Sequence, residues 1–302
     1  MQVDTVVLDI DGVLVDVSNS YRRAVVGSVA VVYGETIPRS QVQRFKDAGG
    51  FNNDWVLTDA IAMFVLAREA GLRLEVSGFT EAVAARGGGR DGAEAVIRER
   101  LPEGDAATVL ERWDPDRLRT VFQQLYLGPE GYRELEDADP DLYADGSESV
   151  NGVSLPPEGY IADEPVLLES ETAAALEATF ELGVVTGRPR AEAHLALDRV
   201  GLSIPADRLY AMEDGPGKPD PAALRSVAEA ADAAAVAFAG DTRDDVRTAR
   251  NAEKSDPDRS YHGIGVLTGG LSGPAGRQAF ESVGAAAVIE TINELPAILE
   301  PR

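Results

Sequence analysis

The chain has 302 residues, 44% hydrophobic and 26% charged, which is enough apolar material for a buried core and excludes global disorder. The absence of cysteine excludes disulfides, thiolate catalysis and cysteine-ligated zinc. A net charge of −24 repels nucleic acid and anionic membranes, so neither is expected as a partner.

Such a charge also repels itself unless salt screens it. Arginine carries almost all the positive charge, since Lys46, Lys218 and Lys254 are the three lysines. Lysine scarcity with an acidic excess suggests adaptation to a salt-saturated cytosol. The start, Met1-Gln-Val-Asp-Thr-Val-Val-Leu-Asp, lacks a basic leader region and reads as a strand. No window approaches the roughly 18 apolar residues of a membrane span. A soluble, cytoplasmic protein is therefore expected, in one large domain or two smaller ones.

Val3 to Leu8 is a β-branched and apolar run, the pattern of a buried strand. From about Ser18 to Leu127 successive helices follow. Ser20–Tyr33 ends before Gly34. A second, capped by Asn53 or Asp54, runs to about Ala70 with Leu57, Ile61, Phe64 and Val65 on one face. Asp91–Leu101 stops at Pro102, and Pro115–Leu127 stops at Gly128-Pro129. Trp55 and Trp113 fall where the core of this helical segment is expected. Glu134–Glu164 is crowded with turn residues and reads as a long loop or short hairpin connection.

After Pro165 the rhythm changes. Helix Glu171–Phe180 leads to strand Gly183–Thr186. Helix Pro189–Val200 and strand Leu209–Met212 follow, then helix Pro219–Ala231 and strand Ala234–Ala239. Helix Thr242–Ala252, strand Gly263–Leu267, strand Ala286–Ile289 and a last helix to Leu299 complete the chain. Strands alternating with helices of about 10 to 15 residues mean βαβ units and a parallel sheet. The first strand lies far upstream, so an all-helical segment is inserted between it and the rest of an α/β domain.

Four clusters fall at carboxyl ends of the expected strands, where open α/β sheets place their sites. Asp9-Ile10-Asp11-Gly12-Val13 follows the first strand with two carboxylates two residues apart. Thr186-Gly187-Arg188 offers a hydroxyl and a backbone N–H ahead of a helix N-terminus, which suits a phosphate. Gly217-Lys218-Pro219-Asp220-Pro221 holds a lysine in a turn, and Gly240-Asp241-Thr242-Arg243-Asp244-Asp245 ends a strand and opens a helix. Singly, each is as well explained by turn and capping preferences. Together, in this order and all at strand ends, they are better explained as one chemical site.

These four segments resemble the motifs of the haloacid dehalogenase superfamily, over residues 1–17 and 166–302. The inserted segment, residues 18–165, resembles the helical cap of its phosphoglycolate-phosphatase-like branch. The resemblance implies an α/β fold with a doubly wound parallel sheet and a mainly α-helical cap. It implies a phosphatase acting on a small phosphorylated metabolite. Asp9 would be the nucleophile, and Asp11 would protonate the leaving oxygen and then activate water. Mg²⁺ would be held by Asp9, Asp241 and the backbone carbonyl of Asp11, with Asp245 supporting a metal-bound water or Lys218. Thr186, Gly187, Arg188 and Lys218 would bind the phosphoryl oxygens.

In the cap, Lys46, Asn52, Asn53 and Asp54 surround a Gly-Gly turn and are candidate substrate contacts, or else a solvated face. Arg22, Arg23, Arg86 and Arg90 are weaker candidates, with a mobile connection expected around Gly87-Gly88-Gly89. His194 and His262 read as structural or exposed. Dehalogenation is disfavoured by Asp11, which dehalogenases of the family lack, and the cysteine-bearing zinc type of histidinol phosphatase is excluded. A phosphomutase using the same phosphoryl-aspartate and an inactive Mg²⁺-binding regulatory protein remain alternatives. Oligomeric state is open.

Overall fold

The computed structural model describes residues 1–51 and 54–302. The chain folds as two compact units, Met1–Ser18 with Glu164–Arg302, and Asn19–Asp163. Among the described residues no helix is long and apolar enough to cross a membrane.

The first unit is built on a six-stranded sheet. Its strands are β1 (Thr5–Leu8), β2 (Glu181–Val185), β3 (Leu209–Tyr210), β4 (Ala235–Gly240), β5 (Ser260–Val266) and β6 (Ala287–Ile289). They lie in the order β3-β2-β1-β4-β5-β6, all parallel. Alternate side chains point to opposite faces of a strand, and here both faces are covered. Val6, Leu8, Leu182, Val184, Ala237 and Ile264 pack with residues of helices Ser170–Thr179 and Arg190–Val200. Val7, Val185, Val236 and Phe238 pack on the other side with helices Ala222–Ala230 and Arg243–Ser255. This two-sided burial is why the strands read as continuous apolar runs. It is a doubly wound α/β architecture: the alternating pattern implied the parallel sheet, and the family resemblance its double winding.

β1 sits in the middle, with Leu8 paired to Val184 of β2 and Ala239 of β4. The chain leaving β1 therefore emerges beside the ends of both neighbours, at the point where the winding reverses.

Several boundaries differ from the sequence expectation, each for a local reason. The first strand breaks at Asp4, whose carboxylate accepts the N–H groups of Ala234 and Ala235 at 2.9 and 3.1 Å. Gln2–Val3 pairs instead with Glu300–Pro301. β3 ends at Tyr210 because Asp214 accepts the Ala211 N–H at 2.7 Å and winds Met212–Asp214 into a 3₁₀ turn. Pro219–Pro221 stays outside the following helix, where Asp220 accepts the Ala222 N–H at 2.9 Å. A helix over Gly273–Ser282 was not anticipated.

The second unit is mainly helical, with helices Ser20–Tyr33, Val42–Asp47, Asp54–Glu69, Val76–Ala84, Gly89–Arg100, Glu103–Arg112 and Pro115–Glu136 and a small hairpin at Ser149–Val150 and Val153–Ser154. Phe45, Phe64 and Phe79 form an aromatic centre with ring centroids 5.0 to 6.1 Å apart. Pro115–Glu136 runs past the expected stop. Gly128 has φ +73 and kinks it where the backbone of Gly159 passes too close for a side chain, and helix resumes at Pro129. Gly87-Gly88-Gly89 is a packed crossing in place of the mobile connection expected. The Gly89 N–H donates to the Gly49 carbonyl at 2.8 Å, and a Cβ on Gly88 would collide with that carbonyl. Trp55 and Trp113 are half-buried and not core; Arg119 lies 4.0 Å over the Trp55 ring.

Candidate active site

Asp9 is the first residue beyond β1 and is 3% exposed. Its Oδ1 accepts the Ile10 N–H at 2.8 Å and its Oδ2 accepts Lys218 Nζ at 2.6 Å. Lys218 comes from the long connection after β3 and precedes a cis bond to Pro219. The same ammonium lies 2.6 Å from Asp245 Oδ1. Asp245 is fully buried at the third position of helix Arg243–Ser255, where its Oδ2 accepts the Thr242 N–H at 2.8 Å and the Thr242 hydroxyl at 2.6 Å. A reciprocal cap of this kind fixes both side chains. Of the two roles open to Asp245, the geometry is that of support for Lys218. The neighbouring Asp244 is turned to Arg247 at 2.8 Å.

Asp241 follows β4 directly. Room for its carboxylate is made by two glycines, because a Cβ on Gly12 or on Gly269 would strike it. Gly12 also has φ +71, which favours glycine independently. The Thr268 hydroxyl donates to the Gly12 carbonyl at 2.5 Å, tying the loop after β5 to the loop after β1.

One oxygen from each of Asp9, Asp241 and Asp245 lies within 4.8 Å of the others. Three carboxylates face one ammonium, and the electrostatics register the imbalance. Burial pushes the Asp9 carboxyl up to about 7 against the opposing pull of Lys218, with Asp245 and Asp11 adding repulsion. Burial first, then Asp9 and Asp245, hold Asp241 well above the usual carboxylate range. Lys218 is raised by Asp245 and Asp9 against its own desolvation. An all-oxygen set with excess negative charge suits a hard divalent cation. The residues fit one; Asp245 has one oxygen in the helix cap and the other on Lys218, which leaves Asp9 and Asp241 as the carboxylates outside the cap.

Thr186 follows β2 and is buried, its hydroxyl accepting the Arg188 N–H at 3.2 Å. Gly187 between them is exposed and has open space where a Cβ would project. Arg188 departs from the sequence expectation. Its side chain is 0% exposed and is directed to carboxylates in place of a phosphate. Nε donates to Asp11 Oδ1 at 2.5 Å and Nη2 to Glu164 Oε2 at 3.0 Å. The Asp11 carboxylate is thus held by Arg188 and lies outside the acidic cluster of Asp9, Asp241 and Asp245.

In the second unit Lys46 pairs with Asp54 at 3.0 Å, while Asn52 and Asn53 lie outside the described residues. Arg22 bonds Gln43, Arg23 bonds Asp163 at 2.6 Å, and Arg86 pairs with Glu99. Glu164, Thr268 and Gly269 are site residues that the sequence did not single out. Thr268-Gly269-Gly270, one residue beyond β5, was a readable signal, since it repeats the strand-end placement of the other clusters. Glu164 carries none, being one acid in an acidic stretch.

A family model described as "Hydrolase: haloacid dehalogenase-like hydrolase" matches residues 3–253. Among solved structures, the fold is similar to phosphatase Tt82 from Thermococcus thioreducens, at TM-score 0.57 and 23% identity over 85% of this chain and 90% of that one. It is similar also to a predicted phosphoglycolate phosphatase from Haemophilus somnus, at TM-score 0.56 and 15% identity over 99% of this chain and 98% of that one. Among curated proteins, 61 residues are 38% identical to imidazoleglycerol-phosphate dehydratase from Phytophthora nicotianae; that match spans 20% of this chain and 13% of that protein.

Proposed function

The chain belongs to the haloacid dehalogenase-like hydrolases, and from that membership we propose that it is a Mg²⁺-dependent phosphatase using Asp9 as nucleophile on a small phosphorylated metabolite. The observation that carries this reading is the Asp9–Lys218–Asp245 chain beside Asp241, brought together from the end of β1, the connection after β3 and the helix that follows β4. A phosphate monoester resists attack because its negative charge repels nucleophiles and its leaving group is poor. Asp9 offers a carboxylate held by two donors, so its attacking geometry is set before substrate arrives. Lys218, also held on both sides, places a positive charge beside the phosphoryl oxygens. Thr186 and the N–H of the exposed Gly187, at the end of β2, would add hydrogen bonds to those oxygens.

Asp9, Asp241 and the Asp11 backbone carbonyl would hold Mg²⁺, which when bound neutralises charge on the phosphoryl group and the acidic cluster. Asp11 Oδ–H would give its proton to the leaving oxygen as the bond from Asp9 to phosphorus forms. The resulting Asp11 carboxylate would then take a proton from the water that displaces Asp9 and releases phosphate. The second aspartate disfavours dehalogenation.

The test is a panel of phosphate monoesters, including sugar phosphates and phosphoglycolate, assayed for phosphate release in molar KCl with Mg²⁺ or with EDTA. Release from at least one ester in Mg²⁺ and none in EDTA is expected. No release from any ester contradicts the reading, and transfer within a sugar phosphate that requires a bisphosphate activator would replace it with a phosphomutase.

A further inference from the structure

Arg188 is a wholly buried cation with a partner on each side. The Glu164 side chain is 1% exposed, and that residue's carbonyl is itself held by Arg199 Nη2 at 2.5 Å. The Arg188 backbone is fixed as well, its N–H on Thr186 Oγ1 and its carbonyl accepting the Met212 N–H at 2.9 Å. Asp11, in contrast, is 32% exposed at the side chain and sits on a loop. Burying an ion pair generally adds little stability, because desolvation offsets the attraction. A rigid guanidinium aimed at a partly exposed carboxylate does something else: it selects one of the staggered side-chain orientations that carboxylate would otherwise sample.

We propose that Arg188, itself oriented by Glu164, is a positioning residue that sets the Asp11 carboxylate for proton transfer. With Oδ1 on Arg188, Oδ2 is the oxygen presented to the leaving group. The step it serves is the one given above: the proton moves from Asp11 to the departing oxygen as the ester O–P bond breaks and the Asp9 O–P bond forms. The inference rests on the phosphatase reading and adds to it why the arginine of Thr186-Gly187-Arg188 is buried.

A misplaced acid harms poor leaving groups more than good ones, whereas damage to the fold or to Mg²⁺ binding harms both alike. The experiment compares kcat and KM for 4-nitrophenyl phosphate and unsubstituted phenyl phosphate, in Mg²⁺, for wild type, Asp11→Asn, Arg188→Lys and Glu164→Gln. Glu164→Gln keeps shape and leaves Arg188 in place, so it decides the matter if Arg188→Lys does not fold. The expected result is a loss of kcat about ten-fold greater on phenyl phosphate than on 4-nitrophenyl phosphate in the Arg188 and Glu164 variants, with KM within about two-fold of wild type. Asp11→Asn should show the same preference more strongly. Equal losses on both esters in the Arg188 and Glu164 variants, with the preference intact in Asp11→Asn, overturn the positioning role alone. Equal losses in Asp11→Asn remove Asp11 as the acid and the positioning role with it, whereas no release from either ester by wild type removes the phosphatase reading itself.

Discussion

Lys218 Nζ lies 2.6 Å from Asp9 and from Asp245, so one cation is shared by two buried carboxylates while Asp241 stands nearby. Removing the ammonium leaves both acids without their counter-charge. Lys218→Met, similar in length but uncharged, is expected to lower kcat at least about 10²-fold, the scale of losing one charge-stabilising donor. Near-wild-type turnover would show that Lys218 is structural. A second residue-scale prediction concerns Asp59, which is buried and accepts Trp113 Nε1 at 3.2 Å. Burial pushes its carboxyl up to about 6, against the Trp113 bond and the Arg90 charge. The folded state therefore holds this proton more tightly than the unfolded chain. The associated stability is present below about pH 4 and lost as pH rises through about 6. Asp59→Asn should gain on wild type in urea denaturation at pH 7.5 relative to pH 4.5; a constant difference would contradict it. At this scale Asp9, Thr186 and Asp241 were legible because each directly follows an apolar run. Arg188 was not, since a charged residue after Thr-Gly looks alike whether it faces a phosphate or a buried Glu164.

Loops after β1, β2, β3 and β5 and a helix cap carry the site, and two of its glycines are placed by contact. Gly269 lies against the Asp241 carboxylate and Gly12 against the same group from the loop after β1. Gly269→Ala should displace Asp241 with little effect on the sheet, raising the Mg²⁺ concentration for half-maximal activity about 10-fold or more, the effect of disturbing a ligand's surroundings. An unchanged Mg²⁺ titration would show that Asp241 is not a ligand. Elements with long apolar periodicity, such as Ser20–Tyr33 and the parallel strands, were readable from the sequence. The helix Gly273–Ser282 was not, because it opens Gly-Pro and carries Gly276 within it. The short helices Val42–Asp47 and Glu103–Arg112 likewise bury only two residues each, too few to print a pattern. The Gly49–Gly89 and Gly128–Gly159 crossings escaped notice for another reason: they join distant segments, and sequence spacing does not report which glycines meet.

Over the whole molecule, 52 acidic residues face 28 basic ones, and the surface repels itself. At molar salt the screening length falls to about 3 Å, so the repulsion between surface charges is largely removed. We propose on this ground that the protein is salt-adapted, and its melting temperature should climb steadily from low to molar KCl; a melting temperature indifferent to KCl removes the proposal. The central claim is that Asp9 attacks phosphorus in a Mg²⁺-dependent reaction. The most direct measurement is hydrolysis of 4-nitrophenyl phosphate in molar KCl by wild type and Asp9→Asn, each with Mg²⁺ and with excess EDTA. The expected result is turnover by wild type in Mg²⁺ alone, with at least about a 10³-fold loss in Asp9→Asn. Equal rates in the two proteins, or full activity in EDTA, would contradict it.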